Sequence, residues 1–223
     1  MARPARASWG MADAPFDHVI STHDAVRELY RQPGDIVRRK KIGVLDEGCR
    51  AVIAATPLVL VATSGADGRC EVSPRGGPAG FVQVLDEQRL AIPDLSGNNL
   101  LDTITNIVDN PNIGLLFVLP GRDETLRVNG RAWVTTDDAV LDGFTAELKR
   151  PKAAIGVVVE TAFVHCAKSF RRGHVWEPDS WTPDAAPSAA ELLTCHIQLD
   201  VSPERVAADL EVGYAHDLAA ERA

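Results

Sequence analysis

The segment from Pro57 to Phe81, PLVLVATSGADGRCEVSPRGGPAGF, constrains the fold of this chain more than any other. An apolar run, LVLVAT, leads into SGADGR and then into a second short strand, CEV. Asp67-Gly68 between apolar runs predicts a tight hairpin, because glycine supplies the positive φ that such turns require. Directly after the hairpin comes Ser73-Pro74-Arg75-Gly76-Gly77. A hydroxyl, a charged fork and freely approachable backbone N–H groups within five residues are what an anion site uses. The segment therefore predicts a phosphate-bearing ligand held at the rim of a β-sheet.

The rest of the chain supports a sheet of this kind. Strands are expected near 58–64, 69–74, 80–85, 89–92, 113–119 and 125–135, and the continuous apolar run AAIGVVV reads as a central strand over 153–159. Helices are expected over 19–31, capped by Ser21 or Thr22, and after Asp46, with Cys49, Val52 and Ile53 inward. Another starts at Asn98 or Asn99, with Leu101, Ile104 and Val108 inward. Asp137 or Asp138 caps one bearing Val140, Leu141, Phe144 and Leu148, and a further helix covers 163–172. Ser202-Pro203 opens the last, with Val206, Leu210, Tyr214 and Leu218 as its stripe. Strands joined mostly by hairpins, with helices at the ends and in crossovers, define a mainly β (α+β) class: an antiparallel barrel with peripheral helices. The expected organisation is a disordered leader over 1–16, in which Met11 offers a second possible start, a barrel domain over 17–176, and an acidic linker with a helix over 177–223.

Charge and motifs remove several function classes. From Glu177 onward there are ten acidic residues against Arg205 and Arg222, which leaves 21 of each sign in 1–176. No basic stripe exists, so nucleic-acid binding is disfavoured. No apolar run approaches the roughly 18 residues of a membrane span, and MARPARASWGMADAP has no apolar core like that of a secretory signal. A cytoplasmic location is expected. GxGxxG, GxxxxGK, GxSxG and HExxH are all missing, and the six histidines show no metal-ligand spacing. Cys49, Cys70, Cys166 and Cys195 form no CxxC pair and read as small buried hydrophobes.

Three further clusters join Ser73 and Arg75 as candidates. LAIPDLSGNN (90–99) ends a strand at Pro93 and places Asn98 and Asn99 at an expected helix start, where free N–H groups and the dipole attract anions. Arg127 and Arg131 alternate with Leu126, Val128 and Ala132 on one strand, so both face away from the apolar side; Gly130 makes a bulge there plausible. FVHCAKSFRRG (163–173), read as a helix, turns Phe163, Ala167 and Phe170 inward with Cys166 beside them, and sets His165, Lys168 and Arg172 on a basic face. Trp176 just beyond it is suited to cover an aromatic ring.

Taken in order, LVLVATSGADGRCEVSPRGGPAGFV, LAIPDLSGNN, NIVDNPNIGLLFVLPG, TLRVNGRAWVT and FVHCAKSFRR with a following Trp resemble the flavin-binding relatives of pyridoxamine 5′-phosphate oxidase. The bacterial predicted flavin-nucleotide-binding subgroup is the best match, from about Leu45 to Trp176. The resemblance implies a split β-barrel homodimer with FMN in the groove between subunits. It implies that Ser73 and Arg75, with Gly76 beside them, meet the flavin phosphate and ring edge. Pro93, Asn98 and Asn99 would add contacts, and Arg127, Lys168, Arg171 and Trp176 would contribute from later segments, across the dimer in some cases. The implied activity is FMN-dependent oxidation or reduction of a small substrate. A non-enzymatic flavin carrier or sensor, or a split barrel using F420 or haem, stays open as an alternative. True pyridoxamine phosphate oxidases hold their substrate with a basic C-terminal Arg-x-His segment. Here ERVAADLEVGYAHDLAAERA is acidic and lacks it, which argues against a vitamin B6 substrate.

Overall fold

A computed structural model describes residues 15–144 and 146–223, so most of the expected leader lies outside the described residues. The chain divides into two units, residues 1–40 and 41–223. The first holds two short exposed helices, α1 (His23–Leu29) and α2 (Asp35–Arg39). Thr22 caps α1 by accepting the Ala25 N–H.

The second unit begins with α3 (Glu47–Ala55), which Asp46 caps through the Cys49 N–H at 2.8 Å. Pro57 ends it, because the residue before a proline avoids the α region. Seven strands follow: β1 (Leu58–Ser64), β2 (Cys70–Gly76), β3 (Gln83–Val84), β4 (Arg89–Pro93), β5 (Asn112–Val118), β6 (Thr125–Thr135) and β7 (Ala154–His165). All pair antiparallel in the order β2-β1-β5-β6-β7-β4-β3. Ile53, Val59, Val61, Phe81, Leu90, Leu115, Phe117, Val128 and Ile155 form its fully buried centre. The edge strand β2 meets the end of β4 through side chains described below. This is the antiparallel split barrel with surrounding helices that the sequence predicts.

Crossover and flanking helices are α4 (Asp102–Asp109), α5 (Asp138–Leu141), α6 (Lys168–Arg172), α7 (Ala189–Ile197) and α8 (Pro203–Glu221). Ser188 and Glu191 build a capping box on α7, and Ser202 caps α8 with Pro203 in its first turn. No helix of the described residues is long and apolar enough to cross a membrane.

Several expectations need correction. The strand expected over 80–85 shrinks to Gln83–Val84, because 78–81 is a turn. There Phe81 N–H reaches Pro78 O, Gly80 has φ 78°, and Phe81 lies so close that a Cβ on Gly77 would sit 2.7 Å from it. The helix expected from Asn98 or Asn99 starts at Asp102, because Asn99 and Leu101 are both left-handed, with φ 56° and 58°. Its buried face is Thr103 and Ile107, while Leu101 and Val108 are exposed. α5 is a single turn, and Leu148 bridges to Arg222 instead of extending it. Phe163 to His165 belong to β7, since β6 is long enough to pair with them: Thr125 faces His165 and Leu126 faces Val164. The helix in that segment covers only Lys168–Arg172. Cys49 is the one buried thiol; Cys70, Cys166 and Cys195 are exposed in the single chain. The stripe expected on α8 includes Tyr214 and Leu218, which are both more than half exposed.

The irregularity foreseen at Gly130 is present. Between Asn129 and Gly130 the register against β7 shifts, with Asn129 opposite Thr161 and Gly130 opposite Val159. Glu160 is the extra residue, so the bulge lies on β7. The backbones approach so closely there that a Cβ on Gly130 would fall 2.0 Å from Val158 O.

Candidate functional site

The strand β2 alternates exposed and half-buried residues along its length. Ser73 and Arg75 therefore share one face, and pairing with Val61 and Val59 makes it the face that β1 turns to the core. Proline between them is tolerated because β2 is the edge strand. Near the other edge of the sheet, β4 delivers Asp94 one residue after Pro93. The Arg75 guanidinium donates to Asp94 Oδ1 at 2.8 Å, with both side chains about four-fifths buried (21% and 24% exposed). The Ser73 hydroxyl accepts from Thr103 Oγ1 at 3.2 Å, which ties β2 to the first turn of α4.

These residues line a groove of about 820 Å³, within the range of small-molecule sites. Its other walls are the 94–101 loop, the 149–152 segment and the last turn of α8. Asn98 and Asn99 line it, though neither begins a helix: Asn98 Oδ1 accepts the Leu100 N–H in a local turn. No side chain caps α4, so the N–H groups of its first turn remain available beside Ser73 and Arg75. Of the nearby cations, Arg150 is held by Asp142 and Asp138, and these contacts, Asp142 first, raise its pKa above the ordinary value. Among the described residues Lys149 and Lys152 form no ion pair.

Other expected site residues lie elsewhere. Pro93 is buried at the end of β4 and Gly76 ends β2; neither lines the groove. Arg127 sits with its guanidinium 5.7 Å from the centre of the Phe163 ring. Arg171 pairs with Asp123 at 2.8 Å, which raises its pKa through that hydrogen bond first. Trp176 stacks on Phe170 and donates its Nε1–H to Arg122 O at 2.8 Å. Lys168 opens α6 beside them. A single chain thus brings together Ser73, Arg75, Asn98 and Asn99, and leaves Arg127, Lys168, Arg171 and Trp176 outside that groove. Sequence reasoning passed over Asp94, Thr103, the basic KRPK run over 149–152, and Glu221. Only the KRPK run carried a visible local signal.

An antiparallel sheet with surrounding helices, whose edge strand presents a serine and an arginine to a groove, has the architecture of a split barrel. Residues 45–166, more than half of the chain, match the family model for pyridoxamine 5′-phosphate oxidase, and the chain belongs to that family. Similar solved structures include HupZ from Group A Streptococcus, at 24% identity and TM-score 0.44, covering 52% of this chain and 89% of that one. A Lactobacillus delbrueckii protein provisionally described as a pyridoxamine 5′-phosphate oxidase is 26% identical, with TM-score 0.44, covering 56% and 98%. General Stress Protein 26 from Bacillus anthracis is 18% identical, with TM-score 0.39, covering 51% and 88%. No curated protein matches the chain.

The donor set fits the phosphate end of a flavin nucleotide. The Arg75 fork spends one terminal nitrogen on Asp94, and Ser73, by accepting from Thr103, keeps its own proton to donate.

Proposed function

We propose that this chain is a cytoplasmic, homodimeric flavoprotein that holds FMN in the Ser73–Arg75 groove and oxidises or reduces a small substrate. The observation that carries this reading is the placement of Ser73 and Arg75 on one face of β2, beside the uncapped start of α4. Arg75 supplies charge and directional N–H donors to the phosphate, Ser73 supplies a hydroxyl, and the first turn of α4 adds N–H groups and the positive end of its dipole. Asp94 fixes the Arg75 guanidinium in the groove wall through their 2.8 Å ion pair. The flavin itself supplies hydride or electron chemistry when bound, so no catalytic acid or base on the protein is required. Arg127, Lys168, Arg171 and Trp176 serve the groove of a second copy in this reading, and Gly76 and Pro93 shape the strand ends that frame it.

Absorbance of the purified protein and an FMN titration test the assignment. Saturable binding with a flavin spectrum is expected, followed by bleaching on addition of NADH or NADPH if the protein turns over. A colourless protein that leaves FMN fluorescence unchanged overturns it, and a Soret band replaces flavin with haem.

A further inference from the structure

The last turn of α8 reaches into the groove, and its role rests on reading that groove as an anion site. α8 lies beyond residue 166, where the family match ends. Its end is fastened at several points. Glu221 Oε1 accepts the Ser96 N–H at 2.5 Å, and Glu221 O accepts the Lys149 N–H at 2.8 Å. The Ala223 N–H donates to Glu147 O at 3.2 Å, and Leu148 and Arg222 form an antiparallel bridge.

The Glu221 carboxylate therefore takes a backbone N–H from the same 94–101 loop that faces Ser73 and Arg75. It also changes the charge balance. Arg150 is already held by Asp138 and Asp142; of the four carboxylates that line the groove beside Arg75, Lys149 and Lys152, two, Asp217 and Glu221, come from α8. Withdrawing the last turn takes Glu221 away and shifts the charge of the lining by one unit toward positive. The Ser96–Glu221 hydrogen bond is solvent-exposed, so breaking it costs little.

We infer that the last turn of α8 is a strap that competes with an anionic ligand for the groove, with Glu221 as the competing anion. A ligand that needs the open form binds with an apparent affinity reduced by the fraction of molecules that are open. Removing the Glu221 charge raises that fraction and adds positive potential.

FMN titrations on the full chain, paired with hydrogen exchange, test the strap. Glu221→Gln and Glu221→Ala are expected to bind FMN about fivefold or more tightly than the parent. FMN added to the parent is expected to speed exchange over 215–223. Equal FMN affinity in all three proteins, with exchange over 215–223 unmoved, overturns the strap and leaves the flavin reading standing. If none of the three binds FMN, the flavin reading falls and inorganic phosphate decides the strap. Faster exchange over 215–223 with phosphate in the parent supports it, and unchanged exchange overturns it.

Discussion

Arg75 on β2 and Asp94 just past β4 are 19 residues apart in the chain and stand near opposite ends of the sheet order, yet their side chains meet at 2.8 Å. The contact ties the edge strand β2 to the end of β4, the strand next to the other edge, and positions the guanidinium at once. Arg75→Met removes the fork and leaves a largely buried carboxylate without its partner. FMN affinity is expected to fall at least about tenfold, as for losing a charge-assisted hydrogen bond, and Ser73→Ala about fivefold. Fluorescence titration reads both, and affinities equal to the parent's would remove these residues from the site.

Gly130→Ala is expected to destabilise the barrel by about 2–3 kcal/mol, because its Cβ would meet the Val158 carbonyl oxygen at 2.0 Å and neither backbone can give. Thermal unfolding reports this as a fall of ~5–10 °C. Gly114→Ala is the control: its Cβ would lie 3.4 Å from Asn129 Oδ1, so a far smaller loss is expected. Equal losses at both positions would contradict the close approach at the bulge.

The Asp46 cap makes a pH-dependent contribution. The Cys49 N–H holds the Asp46 carboxyl below its usual range. Because the folded value is the lower one, this stability is fully present above the unfolded value near pH 4 and is lost as pH falls through the folded value. Asp46→Ala should cost about 1 kcal/mol at neutral pH and progressively less in acid. Denaturant melts at several pH values check this; a cost independent of pH would place the loss in something other than the charged cap.

Thiol reactivity should divide three to one. Burial, and after it the hydrogen bond to Asp46, push the Cys49 thiol up to about 11, so little thiolate forms at neutral pH. Cys70, Cys166 and Cys195 are exposed in the single chain. A disulfide reagent should label three thiols in the native protein and the fourth only after unfolding. Rapid labelling of all four would contradict the burial of Cys49.

What the sequence made legible was local. The Asp67-Gly68 turn, the limits of β6 at Thr125 and Thr135, and the caps at Asp46 and Ser202 each depend on neighbours within a few residues. The start of α4 is not legible because the competing signal, two non-glycine left-handed residues at Asn99 and Leu101, breaks no composition rule. Ser73 and Arg75 stood out by their own motif. Asp94 and Thr103 did not, because they reach the site only through contacts 19 and 30 residues away in the chain. The 163–165 segment was misread as helix because its alternation does not continue that of 153–159.

That break has a cause in Glu160. Before it the residues turned to the core are Ile155, Val157 and Val159; after it Ala162, opposite Val128, is fully buried, so the odd-numbered alternation ends at Glu160. β7 is one strand written in two frames, and Glu160 is the single letter at which they join. Loss of one residue at that point would splice the frames together and turn Ala162 away from Val128. Loss of one residue in the 119–124 turn leaves every frame in place. Variation in length among barrels built on this plan should therefore collect in such turns, with β7 holding its count.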